Sequence, residues 1–261
     1  MAQEKFDVKK PQWEQLLHEA LTLPPRAGET YSRFRTLSLG NQALLLAQSE
    51  IVEPQHTYRG WLTLSRQVKK GSKAKAIYVP MFRKEEKQDG TEAQHLSGFK
   101  LVNCMFGVSD TEGDDLPEYE PPTWSKERAL GALAITQVAF ESMSANTQGY
   151  SKDREFAINP VAAYPFKTLQ HEISHIVAGH TTESGLQEYR THRGTYEFEA
   201  EGSAYLVLNE LGATDQFDAA ESRHYIQTWL RDEQPGEQSI KRVFSTADKI
   251  LKSGREPEEK E

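Results

Sequence analysis

The sequence predicts an α+β protein of two domains: a small N-terminal α+β unit built around a β-hairpin, then a mostly helical C-terminal unit. Three observations carry this. The chain has 261 residues, more than most single compact domains, so two units of about 100 to 150 residues are expected. Charge divides it: up to Asp115 there are 16 Lys and Arg against 15 Asp and Glu, and beyond it 15 against 24, so the two halves differ in kind. Apolar residues alternate strand-like in the first half and recur at helical spacing in the second.

Taken in order, "PQWEQLLHEALTL" places Trp13, Leu16, Leu17, Ala20 and Leu21 on one helical face, with Pro11 suited to the first turn. "YSRFRTLSLGNQALLLAQ" begins aromatic and basic and becomes a helix over 38–48, with Asn41 and Gln42 at the mouth of its apolar block. A short helix is expected over 58–68. After a Lys-Lys-Gly-Ser turn, "AKAIYVPMF" and "GFKLVNCMFGV" form a β-hairpin whose polar tip, "KEEKQDGTEAQ", is long and mobile. The stretch 109–124 is acidic and Pro-rich without periodicity; it bounds an N-terminal domain over 1–115 and supplies a linker over 116–124.

The second domain, over 125–252, opens with a helix over 125–143 capped by Ser125, then a brief strand "EFAIN". Helices follow over 165–179, 192–211 and 215–231, and "EQSIKRVFSTADKILKSG" makes a last one. Residues 253–261 read as a disordered tail.

A hydrophobic content of 37% and a mean hydropathy of −0.70 describe a soluble chain. No run approaches the 18 or so apolar residues of a membrane span, and the start shows no signal-peptide pattern, so a cytoplasmic protein is expected. Cys104 stands alone in an apolar strand and reads as a buried thiol rather than a nucleophile.

The segment "FKTLQHEISHIVAGH" carries chemistry. His171 and His175, four apart on a helix, can aim both imidazoles at one point, as a zinc ion requires of two ligands. Glu172 lies about 100° around the helix, placed to hold a water beside the metal and take its proton. Pro165 opens this helix and Gly179 can close it. Catalytic zinc keeps three protein ligands, so a third must come from elsewhere. Downstream, "Glu197-Phe-Glu-Ala-Glu201" resembles the thermolysin-like Glu-x-x-x-Asp order, in which a ligand Glu precedes by four residues an acid that orients the first His, with Glu201 in place of Asp. Glu197 is then the third ligand and Glu201 its supporting carboxylate, with Glu201 the alternative ligand and Glu199 off the shared face. His180 does not fit the three-histidine spacing and reads as a helix-end or surface residue. Tyr196, Tyr205 and His192 are all available to stabilise an oxyanion.

No acidic residue occurs between Glu53 and Glu85, while Arg59, Arg66, Lys69, Lys70, Lys73, Lys75, Arg83 and Lys84 supply positive charge, interleaved with Tyr58, Trp61, Tyr78 and Phe82. With Tyr31, Arg33, Phe34 and Arg35 upstream, the set suits single-stranded nucleic acid: cations track phosphates and rings take bases. Solvated lysines and a core Trp61 are the competing account.

The order "YSRFR…NQALLLAQ", "TYRGWLTLSRQVKKGSKAKAIYVP", "GFKLVNCMFGVSDTEG", the His-Glu-x-x-His helix and "EFEAEGSAYLVL" resembles antirestriction proteins of the ArdC type over about residues 25–212. The family mark W-x-x-L-x-R-Q-V-x-K-G-x-K falls on Trp61, Leu64, Arg66, Gln67, Val68, Lys70, Gly71 and Lys73. The resemblance implies a single-strand-binding N-terminal domain and a C-terminal zincin-like metallopeptidase domain akin to ImmA/IrrE peptidases. It implies one Zn2+ held by His171, His175 and Glu197, with Glu172 as base. Partners would be single-stranded DNA and a protein substrate of unknown identity, with no membrane. The implied role is to coat incoming single strands of a mobile element against host defences. Two rival functions stand beside it: a regulatory protease that cleaves a repressor, and a DNA-binding module whose zinc is structural.

Overall fold

The computed structural model describes residues 13–49, 51–86, 92–141 and 147–256. Pro11, the hairpin tip over 87–91 and the last five residues of the expected tail lie outside them.

The first half is mixed α and β. Helix α1 (Trp13–Ala20) buries Leu16, Leu17 and Ala20, the face its spacing predicts. Arg26, left-handed at φ 60°, starts a short helix the sequence did not suggest, α2 (Ala27–Tyr31). Helix α3 (Leu39–Ser49) buries Asn41 and Gln42 along with Ala43, Leu44 and Leu45. Strand β1 (Gln55–Thr57) leads into α4 (Tyr58–Thr63), where the Thr57 hydroxyl accepts from Gly60 N. Helical geometry is lost at Ser65, φ 57°, so the helix expected over 58–68 stops early. Arg66–Val68 instead forms strand β2, and Arg66 donates to Thr111 Oγ1 at 2.9 Å.

The hairpin is longer than its apolar runs suggest. Strands β3 (Lys75–Glu86) and β4 (Glu92–Gly107) pair antiparallel to Glu86↔Glu92, because ladder hydrogen bonds continue through the polar residues assigned to the loop. The sheet order is β1-β4-β3. Two side-chain amides on α3 complete the outer side of β3. Asn41 accepts from Tyr78 N at 2.8 Å and donates to Tyr78 O at 3.0 Å. Gln48 does the same for Ala76, at 2.8 and 2.9 Å. Each amide copies a backbone pair, which is why polar residues sit inside the apolar block of α3. Cys104 is half-buried, and burial pushes its thiol up.

After a 3₁₀ turn, β5 (Thr111–Gly113) pairs with β2, inside the stretch expected to be irregular. The helix expected over 125–143 is α5 (Lys126–Leu133), capped by Ser125; it ends at left-handed Ala134, φ 52°. The β-branched residues that follow favour extended backbone. They give β6 (Thr136–Gln137), parallel to β8 (Glu155–Ile158), which pairs antiparallel with β7 (Gly149–Lys152). Helix α6 (Pro165–Ala178) has Pro at its first position and ends on left-handed Gly179. Helix α7 (Glu183–Glu210) is interrupted at His192 (φ −121°, ψ 22°). Helices α8 (Ala219–Asp232) and α9 (Glu237–Gly254) complete the chain.

One apolar cluster runs through both halves: Leu16, Tyr31, Leu44 and Ile77 belong to it together with Phe156, Phe198, Tyr205 and Val243. Trp13 touches Tyr78 on β3 and Phe244 on α9. Gly28 N donates to Glu210 at 3.0 Å and Leu39 N to Asp248 at 2.9 Å. Arg255, near the start of the expected tail, pairs with Glu210 and forms a β-bridge with Trp124. No helix among the described residues is long and apolar enough to cross a membrane.

Candidate metal centre

Helix α6 buries Leu169, Ile173 and Ile176, which turns His171 and His175 toward α7. Beyond the break at His192, α7 presents Glu197 to them. His171 Nε2 lies 3.1 Å from His175 Nε2 and 3.3 Å from Glu197 Oε2. One ligand atom from each of the three residues lies within 4.8 Å of the others, a grouping that could hold a metal ion. Two imidazoles and one carboxylate form a donor set suited to a divalent metal ion.

Surrounding groups orient His171 and Glu172. His171 Nδ1 lies 3.3 Å from Glu201 Oε2, whose other oxygen meets Lys167 Nζ at 2.9 Å. Burial works to raise the Glu201 pKa, but the His171 hydrogen bond and the Lys167 ammonium outweigh it and hold the carboxyl at about 2. For His171, burial favours the neutral ring, yet Glu197, Glu201 and Glu172 together raise the pKa to about 9. Glu172 is buried beside the ligand face, and its Oε2 accepts from Ser151 Oγ on β7 at 2.7 Å. A Cβ at Gly149 would lie 2.6 Å from Thr168 and 3.2 Å from Glu172 Oε1, so only glycine lets β7 pass this close.

His180 does stand at the end of α6, its N–H donating to His175 O at 3.0 Å, but the expected surface placement is corrected. Its side chain is 2% exposed, as is that of Glu199, and His180 Nε2 lies 2.7 Å from Glu199 Oε2. His180 Nδ1 lies 2.9 Å from His175 Nδ1, and Tyr196 stacks on the ring at 4.1 Å. Burial lowers the His180 pKa despite Glu199. Glu199 does leave the ligand face, but toward a buried cluster: Ser239 Oγ donates to it at 2.5 Å and Arg242 at 3.2 Å. This was invisible in sequence because His180 lies past the end of one helix and its acid partner sits inside the next. Of the oxyanion candidates, Tyr205 is occupied: its hydroxyl donates to Leu21 O and accepts from Arg223.

The nucleic-acid candidates divide by burial. Tyr31 and Trp61 have no exposed ring face; Tyr31 donates to Ile51 O and the Trp61 indole to Phe106 O. Neither can take a base in this structure, because both fill the core. Lys75 is held by Asp110 at 2.7 Å and Glu53 at 3.8 Å, and Arg66 is committed to β5. Arg33 lies over Phe34 and Tyr119. Arg35, Arg59, Lys69, Lys70, Lys73 and Arg83 are exposed, Lys69 with its ammonium on Ser109 O. Tyr58, 45% exposed, lines a cleft of about 520 Å³ with Gln67, Lys69, Lys70, Phe106 and Glu112. On the hairpin, Phe82 and Phe99 are 58% and 60% exposed, and Met81 and Leu96 are exposed beside them. Phe99 was passed over because alternation in an apolar strand reads as core.

No family model and no curated protein matches the chain. Among solved structures it is similar to the antirestriction ArdC protein from plasmid R388. Against the Mn(II)-bound structure the identity is 18% and the TM-score 0.50, covering 92% of this chain and 95% of that one. Against the metal-free structure the values are 22% and 0.47, covering 94% and 89%. The chain therefore has the mixed α+β fold of the Mn(II)-bound ArdC antirestriction protein.

Proposed function

We propose that this chain is an antirestriction-type protein that binds single-stranded DNA through its first half and carries a Zn2+-dependent peptidase site between α6 and α7. The peptidase reading rests on the convergence of His171, His175 and Glu197, with the buried Glu172 beside them. Two imidazoles and a carboxylate suit Zn2+ and leave a position for solvent or substrate. Such an ion, when bound, polarises a scissile carbonyl and acidifies water. Glu172 receives the proton of the attacking water and passes it to the leaving amine, while Ser151 fixes its carboxylate. Glu201 accepts from His171 Nδ1, so that a metal bound in the site would displace the proton from Nε2. Among the described residues β7 pairs only with β8, so its other edge can accept an extended peptide beside Glu172.

The DNA reading is supported by exposed rings at Tyr58, Phe82 and Phe99 and by exposed Lys70, Lys73 and Arg83 in the same half of the chain. It predicts binding without strong sequence preference, since every base has a stacking face. The antirestriction role draws on the fold shared with ArdC: strands coated by such a protein are withheld from host nucleases.

The test is elemental analysis of the purified chain, with mass-spectrometric detection of cleaved unstructured peptides. One Zn2+ per chain is expected, lost in His171→Ala. Glu172→Gln keeps the metal and loses cleavage. A chain without Zn2+, or Glu172→Gln cleaving like wild type, rejects the peptidase assignment. An oligonucleotide shift that is absent, or indifferent to salt, rejects the DNA assignment.

A further inference from the structure

We propose that the buried His180–Glu199 pair is a positioning device for the metal site: it fixes the tautomer and orientation of His175 and thereby sets metal affinity. This rests on the assignment of His175 as a ligand. His175 Nδ1 and His180 Nδ1 are 2.9 Å apart, and His180 Nε2 is 2.7 Å from Glu199 Oε2. With both rings neutral and Glu199 ionised, two proton arrangements are conceivable. In one, His175 donates from Nδ1 to His180, and His180 donates from Nε2 to Glu199; His175 Nε2 is then bare and faces His171 and Glu197. In the other, His180 donates to His175. That leaves a bare His180 Nε2 against a carboxylate oxygen at 2.7 Å, two acceptors in contact, and a proton on His175 Nε2 where a metal must bind. Glu199 selects the first arrangement, because a carboxylate can only accept.

Two other groups also reach Glu199. Ser239 Oγ donates to Oε1, and Arg242 donates to Oε2, the oxygen that faces His180. Both the His180 and Glu199 side chains are 2% exposed, so water offers no competing partner. Tyr196 lies parallel to the His180 ring, 3° between planes, which fixes the direction of both ring nitrogens. The two ligand histidines thus receive the same support by different routes: His171 from Glu201 directly at 3.3 Å, His175 from Glu199 through a second imidazole. Apolar side chains of similar size would hold α6, α7 and α9 together as well as a buried polar chain does. The polar chain is explained by its terminus at a ligand.

The experiment measures Zn2+ affinity by chelator competition, the Co2+ absorption spectrum, and thermal unfolding without metal, all on the full chain. His180→Phe keeps the stack on Tyr196 and removes both hydrogen bonds. Glu199→Met keeps the length of the side chain and offers His180 no acceptor, so nothing selects the proton on its Nε2. Ser239→Ala removes a contact to Glu199 while leaving His180 in place. The first two variants are expected to weaken Zn2+ binding by about 10- to 100-fold and to alter the Co2+ spectrum. Ser239→Ala is expected to stay within about threefold of wild type by the same reasoning. If His180→Phe does not fold, Glu199→Met decides. Wild-type affinity in both, or an equal loss in Ser239→Ala, overturns the positioning role while the metal site stands. A wild-type chain that binds no Zn2+ overturns the site itself, and the positioning role with it.

Discussion

Replacing Asp248 with Asn should remove a pH dependence of stability that runs opposite to that of most carboxylates. Asp248, on α9, accepts a hydrogen bond from Leu39 N on α3 at 2.9 Å. Burial is the main influence on its carboxyl; Glu210 adds to it, Leu39 N and Arg255 oppose it, and the pKa rises from 3.8 to about 7. A carboxyl raised in the fold contributes stability that is complete below its unfolded pKa and is lost as pH climbs through the folded value. The full shift is worth about 4 kcal/mol, and about 3 kcal/mol of it falls between pH 5 and pH 8. Asn is neutral throughout and keeps an oxygen for Leu39 N. Urea unfolding of wild type and Asp248→Asn at both pH values cancels every other titration. The variant is expected to gain about 3 kcal/mol on wild type between the two. Parallel profiles would refute the account of Asp248 as a carboxyl held protonated between the two halves.

Four further outcomes are expected. Phe82→Ala with Phe99→Ala should weaken oligonucleotide binding about tenfold or more, at one base stack per ring, while leaving the melting temperature unchanged because both rings are exposed. Lys70→Gln with Lys73→Gln should lower the salt slope of binding by about 0.7 per charge removed. Lys75→Ala should instead cost about 3 kcal/mol in urea unfolding, because it strands Asp110 and Glu53 in a largely enclosed site. Gly28→Ala should destabilise by about 1 to 3 kcal/mol, since its Cβ would lie 1.8 Å from Glu210 Oε1.

Much of the helical half was legible because backbone geometry converts spacing into direction. His171 and His175, four apart, had to leave one face of a helix, and Glu172 had to lie beside them. Glu197 and Glu201 followed the same rule. The apolar face of α1 could be drawn before any contact was known. Where local signals competed, spacing misled. "SKERALGALAITQVAFESM" has helical periodicity throughout, yet its β-branched residues pair with β8 once Ala134 turns the chain. The helix expected over 58–68 yields at Ser65 because β5 offers Arg66–Val68 a partner.

By itself, then, the sequence determined the α+β class, the hairpin, and the helices on which the two histidines and the candidate third ligand stand, since each follows from the period of one segment. The tertiary structure alone decided which polar groups are shielded from water and paired. It buried Tyr31 and Trp61, which composition had offered to bases, and closed Lys75 into an ion pair. It also set Asn41 and Gln48 against the outer side of β3 and brought His180 to Glu199. Burial and pairing depend on which distant segments pack together, and the spacing within any one segment carries no record of that.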